Sequence, residues 1–127
     1  MSCELQFPTG MAPHSPLLLL VDDEPGVLHA LRRLLAERFS IATASSAEEA
    51  ARLADMTEFA AVLTDYDLPG RDGAWLLVQL ATRPGLRKVL TSGRDVPGIE
   101  ALSSAGVVDR FLKKPATREE LLQALEG

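Results

Sequence analysis

Asp22 and Asp23, Asp65, Ser92, and the pair Lys113 and Lys114 share one placement: each directly follows a short apolar run of strand length. In an open parallel sheet, ligands bind beyond the carboxyl ends of the strands, so these residues are the ones to weigh for chemistry. Strands one and three are neighbours in the usual doubly wound order, which brings Asp22, Asp23 and Asp65 to one edge. Three ionised carboxylates repel one another, so either their pKa values rise or a cation sits among them. All-oxygen ligands without nearby Cys or His select a hard ion such as Mg²⁺. Mg²⁺ keeps several waters and favours one or two carboxylates plus a phosphate, which makes this a candidate phosphoryl-handling site. A carboxylate can attack phosphorus and form an acyl phosphate, provided positive groups offset charge on the transferred oxygens. Asp65 is best placed for that attack, with the cation on one side and Lys114 on the other, and Ser92 offers a hydroxyl to a phosphoryl oxygen. Taken singly, each residue has a plainer explanation: Asp22 and Asp23 as helix caps, Asp65 and Ser92 as turn formers, Lys114 as a solvated charge before Pro115. The set of five at successive strand ends is what favours chemistry.

The elements that must hold these residues alternate regularly. Leu17–Val21 is a continuous apolar run that suits a strand buried on both faces. Pro25 suits the first turn of a helix in which Leu28, Leu31, Leu34 and Leu35 share a face, running to about Phe39. A second strand over Ile41–Ala44 is followed by a capping-box signal, Ser46 with Glu49, opening a helix through about Leu53. Ala60–Thr64 is the third strand, before a turn-rich segment Asp67 to Gly70 and a helix around Trp75 to Leu80. Lys88–Thr91 is the fourth, with a short helix Ile99–Ala105 that Gly106 would close. Val107–Leu112 is the fifth, and Thr117 with Glu120 caps a last helix containing Leu121, Leu122 and Leu125. Short connections between alternating strands and helices predict an α/β fold: a doubly wound five-stranded parallel sheet, order 2-1-3-4-5, with about five helices on both faces.

Composition bounds the rest. The 127 residues suffice for one domain, 46% hydrophobic and 24% charged content is ordinarily globular, and no apolar stretch is long enough to cross a membrane. A net charge of −5 argues against the basic face that direct nucleic-acid binding needs. The single cysteine, Cys3, excludes an internal disulfide and fits a reducing cytoplasm. Residues 1–16, with Pro8, Gly10, Pro13 and Pro16, read as a flexible extension without a secretory signal, with Met11 an alternative start; the domain is expected over 17–127.

Four stretches together resemble the receiver domains of two-component response regulators: Leu20-Val-Asp-Asp-Glu-Pro25, Leu63-Thr-Asp-Tyr-Asp-Leu-Pro-Gly70 with Gly73 beyond, Leu90-Thr-Ser-Gly93, and Asp109-Arg-Phe-Leu-Lys-Lys-Pro115. The resemblance implies that Asp22 and Asp23 hold Mg²⁺ (or Mn²⁺), with Asp65 and the backbone carbonyl of Asp67 as further ligands. It implies that Asp65 accepts a phosphoryl group from the phosphohistidine of a histidine kinase or phosphotransfer protein, and that Lys114 contacts that group. The family's switch hydroxyl is matched by Ser92 in preference to Thr91, because Gly93 supplies the small residue that follows it and because 22 residues separate Ser92 from Lys114. Phe111, three residues before the lysine, matches the switch aromatic, while a purely core role for it stays open. Leu68 stands where Met is common before the proline, a nearly volume-neutral change. Asp67 adds an acidic side chain close to the acceptor and is expected to alter the phosphate's lifetime, with Arg94 partly offsetting its charge.

The implied output is a change in the face of helix four, strand five and helix five, read by a downstream protein or a fused output domain. Family receivers often dimerise through that face; here Arg94, Asp95, Glu100, Asp109, Arg110, Arg118 and Glu119 offer both signs, and dimerisation stays open. Two other readings compete. Asp65-Tyr66-Asp67 also fits the D-x-D of haloacid-dehalogenase-like phosphatases, although those place it after the first strand. A receiver-like scaffold acting without phosphorylation has no need of the full Asp, Ser and Lys set.

Overall fold

The structure, a computed structural model, describes residues 15–127. The expected flexible extension, with Cys3 and Met11, falls outside the described residues up to residue 14. The chain runs β1 (Leu17–Val21), α1 (Pro25–Leu35), β2 (Ser40–Ala44), α2 (Ala47–Met56), β3 (Ala61–Asp65), α3 (Gly73–Gln79), β4 (Arg87–Ser92), α4 (Ile99–Ser104), β5 (Arg110–Lys113) and α5 (Arg118–Glu126). All pairings are parallel and the sheet order is β2-β1-β3-β4-β5, as the alternation predicts. Among the described residues no helix is long and apolar enough to cross a membrane.

Side-chain alternation along each strand divides the core in two. Leu19 and Val21 of β1, Val62 of β3 and Leu90 of β4 pack with α2 and α3, through Ala50, Ala54, Leu76 and Leu77. Leu18, Leu20, Leu63 and Val89 face the opposite way and pack with α1 and α5, through Leu35, Leu121, Leu122 and Leu125. Both faces of the inner strands are therefore apolar, which is why β1 reads as an unbroken leucine run.

Several ends differ from the sequence expectations. α1 stops at Leu35, because the N–H groups of Arg38 and Phe39 both turn back to the Leu35 carbonyl and Phe39 folds into the α1–α5 core. At α2 the Ser46 side chain accepts the Glu49 N–H as expected, but the Glu49 carboxylate reaches back to Ser45 N–H, at 2.8 Å, so the box closes one residue early. At α5 the box is complete: Glu120 N–H to Thr117 Oγ1 at 3.1 Å and Thr117 N–H to the Glu120 carboxylate at 2.8 Å. β5 begins only at Arg110. Val107 and Val108, expected in the strand, donate their N–H groups to the Leu102 carbonyl and close α4, while Gly106 (φ 77°) donates to Ser103; this is a Schellman closure.

Candidate functional site

The carboxyl ends of β1 and β3 carry the aspartates to one place. Asp22, Asp23 and Asp65 each offer a carboxylate oxygen, and these oxygens all lie within 4.8 Å of one another. Asp22 and Asp65 are buried and Asp23 is exposed. One oxygen of Asp22 accepts the Glu24 N–H at 3.0 Å and its other oxygen faces Lys114; neither Asp22 nor Asp23 is the helix cap the plainer explanation would have it, since the N-cap of α1 is Glu24 and no side chain bonds the helix end there. Asp22 thus fixes the local turn with one oxygen and meets the lysine with the other.

Lys114 arrives from the end of β5. Its Nζ lies 3.3 Å from Asp22 Oδ2 and 3.4 Å from Asp65 Oδ1, spanning the two strands. Its backbone N–H donates to the Ser92 carbonyl at 2.8 Å, which ties the lysine to the end of β4. Lys113 points elsewhere, to Asp95 at 2.9 Å.

Burial pushes the Asp65 carboxyl above its ordinary range; the Lys114 charge pulls it back, and the neighbouring Asp22 charge adds to the rise. The Asp67 backbone N–H also bonds the carboxylate and favours its ionised form. For Lys114, burial pulls the pKa down but the Asp22 and Asp65 charges outweigh it, so the ammonium is held above its usual range. The site is therefore one in which negative charge exceeds the single lysine's capacity to balance it.

The segment after Asp65 is locked by a glycine. Gly73 donates its N–H to the Tyr66 carbonyl at 2.9 Å, and a Cβ there would collide with the Asp65 carbonyl oxygen. Only glycine lets α3 start this close to the acceptor strand. Asp72 caps the same helix by accepting the Trp75 N–H at 2.8 Å. Sequence reasoning noted Gly73 without this reason for it.

Ser92 is fully buried, and its Oγ accepts the Arg94 N–H at 3.1 Å. Thr91, the other hydroxyl weighed for this role, makes a long bond from Oγ1 to the Thr64 carbonyl at 3.4 Å. Phe111 is half-buried against the α2–α3 side of the core. The Asp67 side chain leaves the acceptor and pairs with Arg94, Oδ1 to Nη2 at 2.7 Å, with the Arg94 guanidinium 5.3 Å above the Tyr66 ring. Arg94 thus offsets Asp67 directly. Its stacking on Tyr66 was not foreseen, because residues so far apart in sequence carry no periodic signal of contact.

The donor set fits a hard divalent ion: oxygens only, clustered at short range, with an excess of negative charge.

Residues 18–126 match the model of the response regulator receiver domain family. The chain is 35% identical over 117 residues to the transcriptional regulatory protein GlrR of Escherichia coli (strain K12), covering 89% of this chain and 26% of that protein. It is 33% identical to the positive alginate biosynthesis regulatory protein of Pseudomonas aeruginosa, covering 86% of this chain and 45% of that one. The chain therefore spans from a quarter to about half the length of these relatives. Among solved structures it resembles the signal receiver domain of an HD domain-containing protein from Pseudomonas fluorescens Pf-5, with a TM-score of 0.80 and 31% identity over 89% of this chain and 93% of that one. With the fold, the strand-end aspartates and the family match in agreement, the chain belongs to the response regulator receiver family.

Proposed function

We propose that Asp65 accepts a phosphoryl group from the phosphohistidine of a histidine kinase or phosphotransfer protein in the cytoplasm, and that the loaded domain changes how the α4, β5 and α5 face docks to a downstream protein or fused output domain. The observation that carries this reading is Lys114 bridging Asp22 and Asp65 beside a third carboxylate. Asp22, Asp23 and Asp65, with the Asp67 carbonyl, would hold Mg²⁺ or Mn²⁺, which when bound neutralises the carboxylates and the transferred oxygens.

An Asp65 carboxylate oxygen attacks phosphorus; the new O–P bond forms as the N–P bond breaks, and that bond's electron pair returns to the imidazole. Lys114, already within 3.4 Å of Asp65, meets the charge on the transferred group without large movement. The added charge, roughly −1.5 to −2, gives Ser92 and Lys114 a new anion to bond. Because Ser92 and Lys114 are joined by a backbone hydrogen bond, a shift of one is passed to the other and to β5, which carries Phe111.

Intact mass after incubation with Mg²⁺ and a small-molecule phosphodonor tests the reading. One added phosphoryl group, absent without Mg²⁺ and in Asp65→Asn, is expected. A folded protein that binds Mg²⁺ yet gains no phosphoryl group, and binds no beryllofluoride, would instead be a scaffold.

A further inference from the structure

Gly93, Arg94 and Asp95 form an exposed three-residue bridge between fully buried Ser92 and buried Val96. Nothing lies within 4 Å of where a Gly93 side chain would be, so the bridge has room to move. Two ion pairs hold it in opposite directions. Arg94 is drawn to Asp67 at 2.7 Å on the β3 side, and Asp95 is drawn to Lys113 at 2.9 Å on the β5 side. Arg94 also donates its backbone N–H to Ser92 Oγ.

We propose that Arg94 is an arm with two anchorages: it rests on Asp67 and Tyr66, and it transfers to the phosphoryl oxygens once Asp65 is loaded, carrying Ser92 with it. The proposal rests on Asp65 being the acceptor. Both resting anchors lie within two residues of Asp65 along the chain, so the arm is held by the segment that directly follows the acceptor. The resting pair is weak, since its side chains are 58% and 49% exposed and water competes for both charges. A phosphoryl group presents more charge than one carboxylate, and three acceptor oxygens, to a planar fork of five donors that binds phosphate well. Transfer displaces the Arg94 N–H, and with it the Ser92 hydroxyl that bonds it. The Asp95–Lys113 pair limits that travel and hands the remainder to the end of β5, next to Lys114. Arg94 is thus a positioning residue for Ser92 as well as a direct contact for the transferred group.

Mg²⁺-dependent beryllofluoride binding to the folded domain reads this directly, with far-UV circular dichroism to confirm the fold of each variant. Arg94→Ala is expected to weaken binding about 3- to 10-fold, as loss of a charge-assisted contact at an exposed site, and Arg94→Lys to recover part of it. Asp67→Asn removes the resting partner and should tighten binding about 2- to 5-fold, the range of an exposed ion pair. In the double variant most of the Asp67→Asn gain should vanish, because the Asp67 carboxylate, turned to Arg94, acts mainly through it. Independent effects in the double variant, or no change in Arg94→Ala, would overturn the two-anchorage arm while leaving Asp65 as acceptor. Absence of Mg²⁺-dependent binding in the unaltered protein would overturn the acceptor reading itself.

Discussion

β1 and β3 each pair with a strand on both sides and are buried along almost their whole length, whereas β5 is a four-residue edge strand with one buried residue and α4 has none. The aspartates ride on the first pair of strands, and the residues expected to respond lie on or beside the second pair of elements. Reacting groups need fixed geometry, and buried parallel strands supply it. A response needs two packings close in free energy, and an edge with few buried contacts opens at low cost. Lys114 and Ser92 stand at the seam, each bonded to the other through backbone.

The largest stability effect should come from the rigid side. Gly73→Ala forces a methyl group onto the Asp65 carbonyl and should cost about 3 kcal/mol by the scale of overpacking, measured by urea denaturation, with loss of phosphoryl uptake. On the looser side, Asp109 clasps the start of β4: it accepts the Lys88 N–H at 2.8 Å, returns its own N–H to the Lys88 carbonyl, and lies 3.6 Å from the buried Lys88 ammonium. Asp109→Ala strands that cation and should cost about 2 kcal/mol; a smaller loss than Gly73→Ala would sharpen the contrast, and a larger one would break it. Thr117→Ala removes the α5 cap for about 1 kcal/mol.

Asp65→Asn should have the opposite sign. A carboxyl whose folded pKa is raised contributes stability at pH below its unfolded value and loses it as pH rises through the folded value. At neutral pH without metal, the ionised Asp65 therefore opposes folding, and the amide should raise the melting temperature slightly, by an effect of about 1 kcal/mol or less. The same metal-free shift predicts that the stability advantage of Asp65→Asn narrows as pH is lowered and the native carboxyl takes up its proton, which a pH series of melting temperatures without metal checks.

The sheet order and the placement of the aspartates were legible because strand-length apolar runs ending in Asp are local signals. Helix caps were legible too, at Thr117 and Gly106. Boundaries failed where a residue type serves two structures: Val107 and Val108 read as strand from their β-branched side chains, yet their N–H groups close α4. Phe39 read as helix from its apolar character, yet it packs after the helix has ended. The partnership of Arg94 with Asp67 was legible from their shared placement at strand ends, but the Asp95–Lys113 and Lys88–Asp109 pairs and the stacking of Arg94 on Tyr66 were not, since long charged side chains choose partners by tertiary proximity and not by spacing.

Amide hydrogen exchange with and without Mg²⁺ and beryllofluoride tests the division of labour most directly. Changed protection should concentrate in residues 93–113, with the amides of β1 and β3 unaltered. Binding that leaves residues 93–113 unchanged, or that spreads its largest change into β1 and β3, would contradict it.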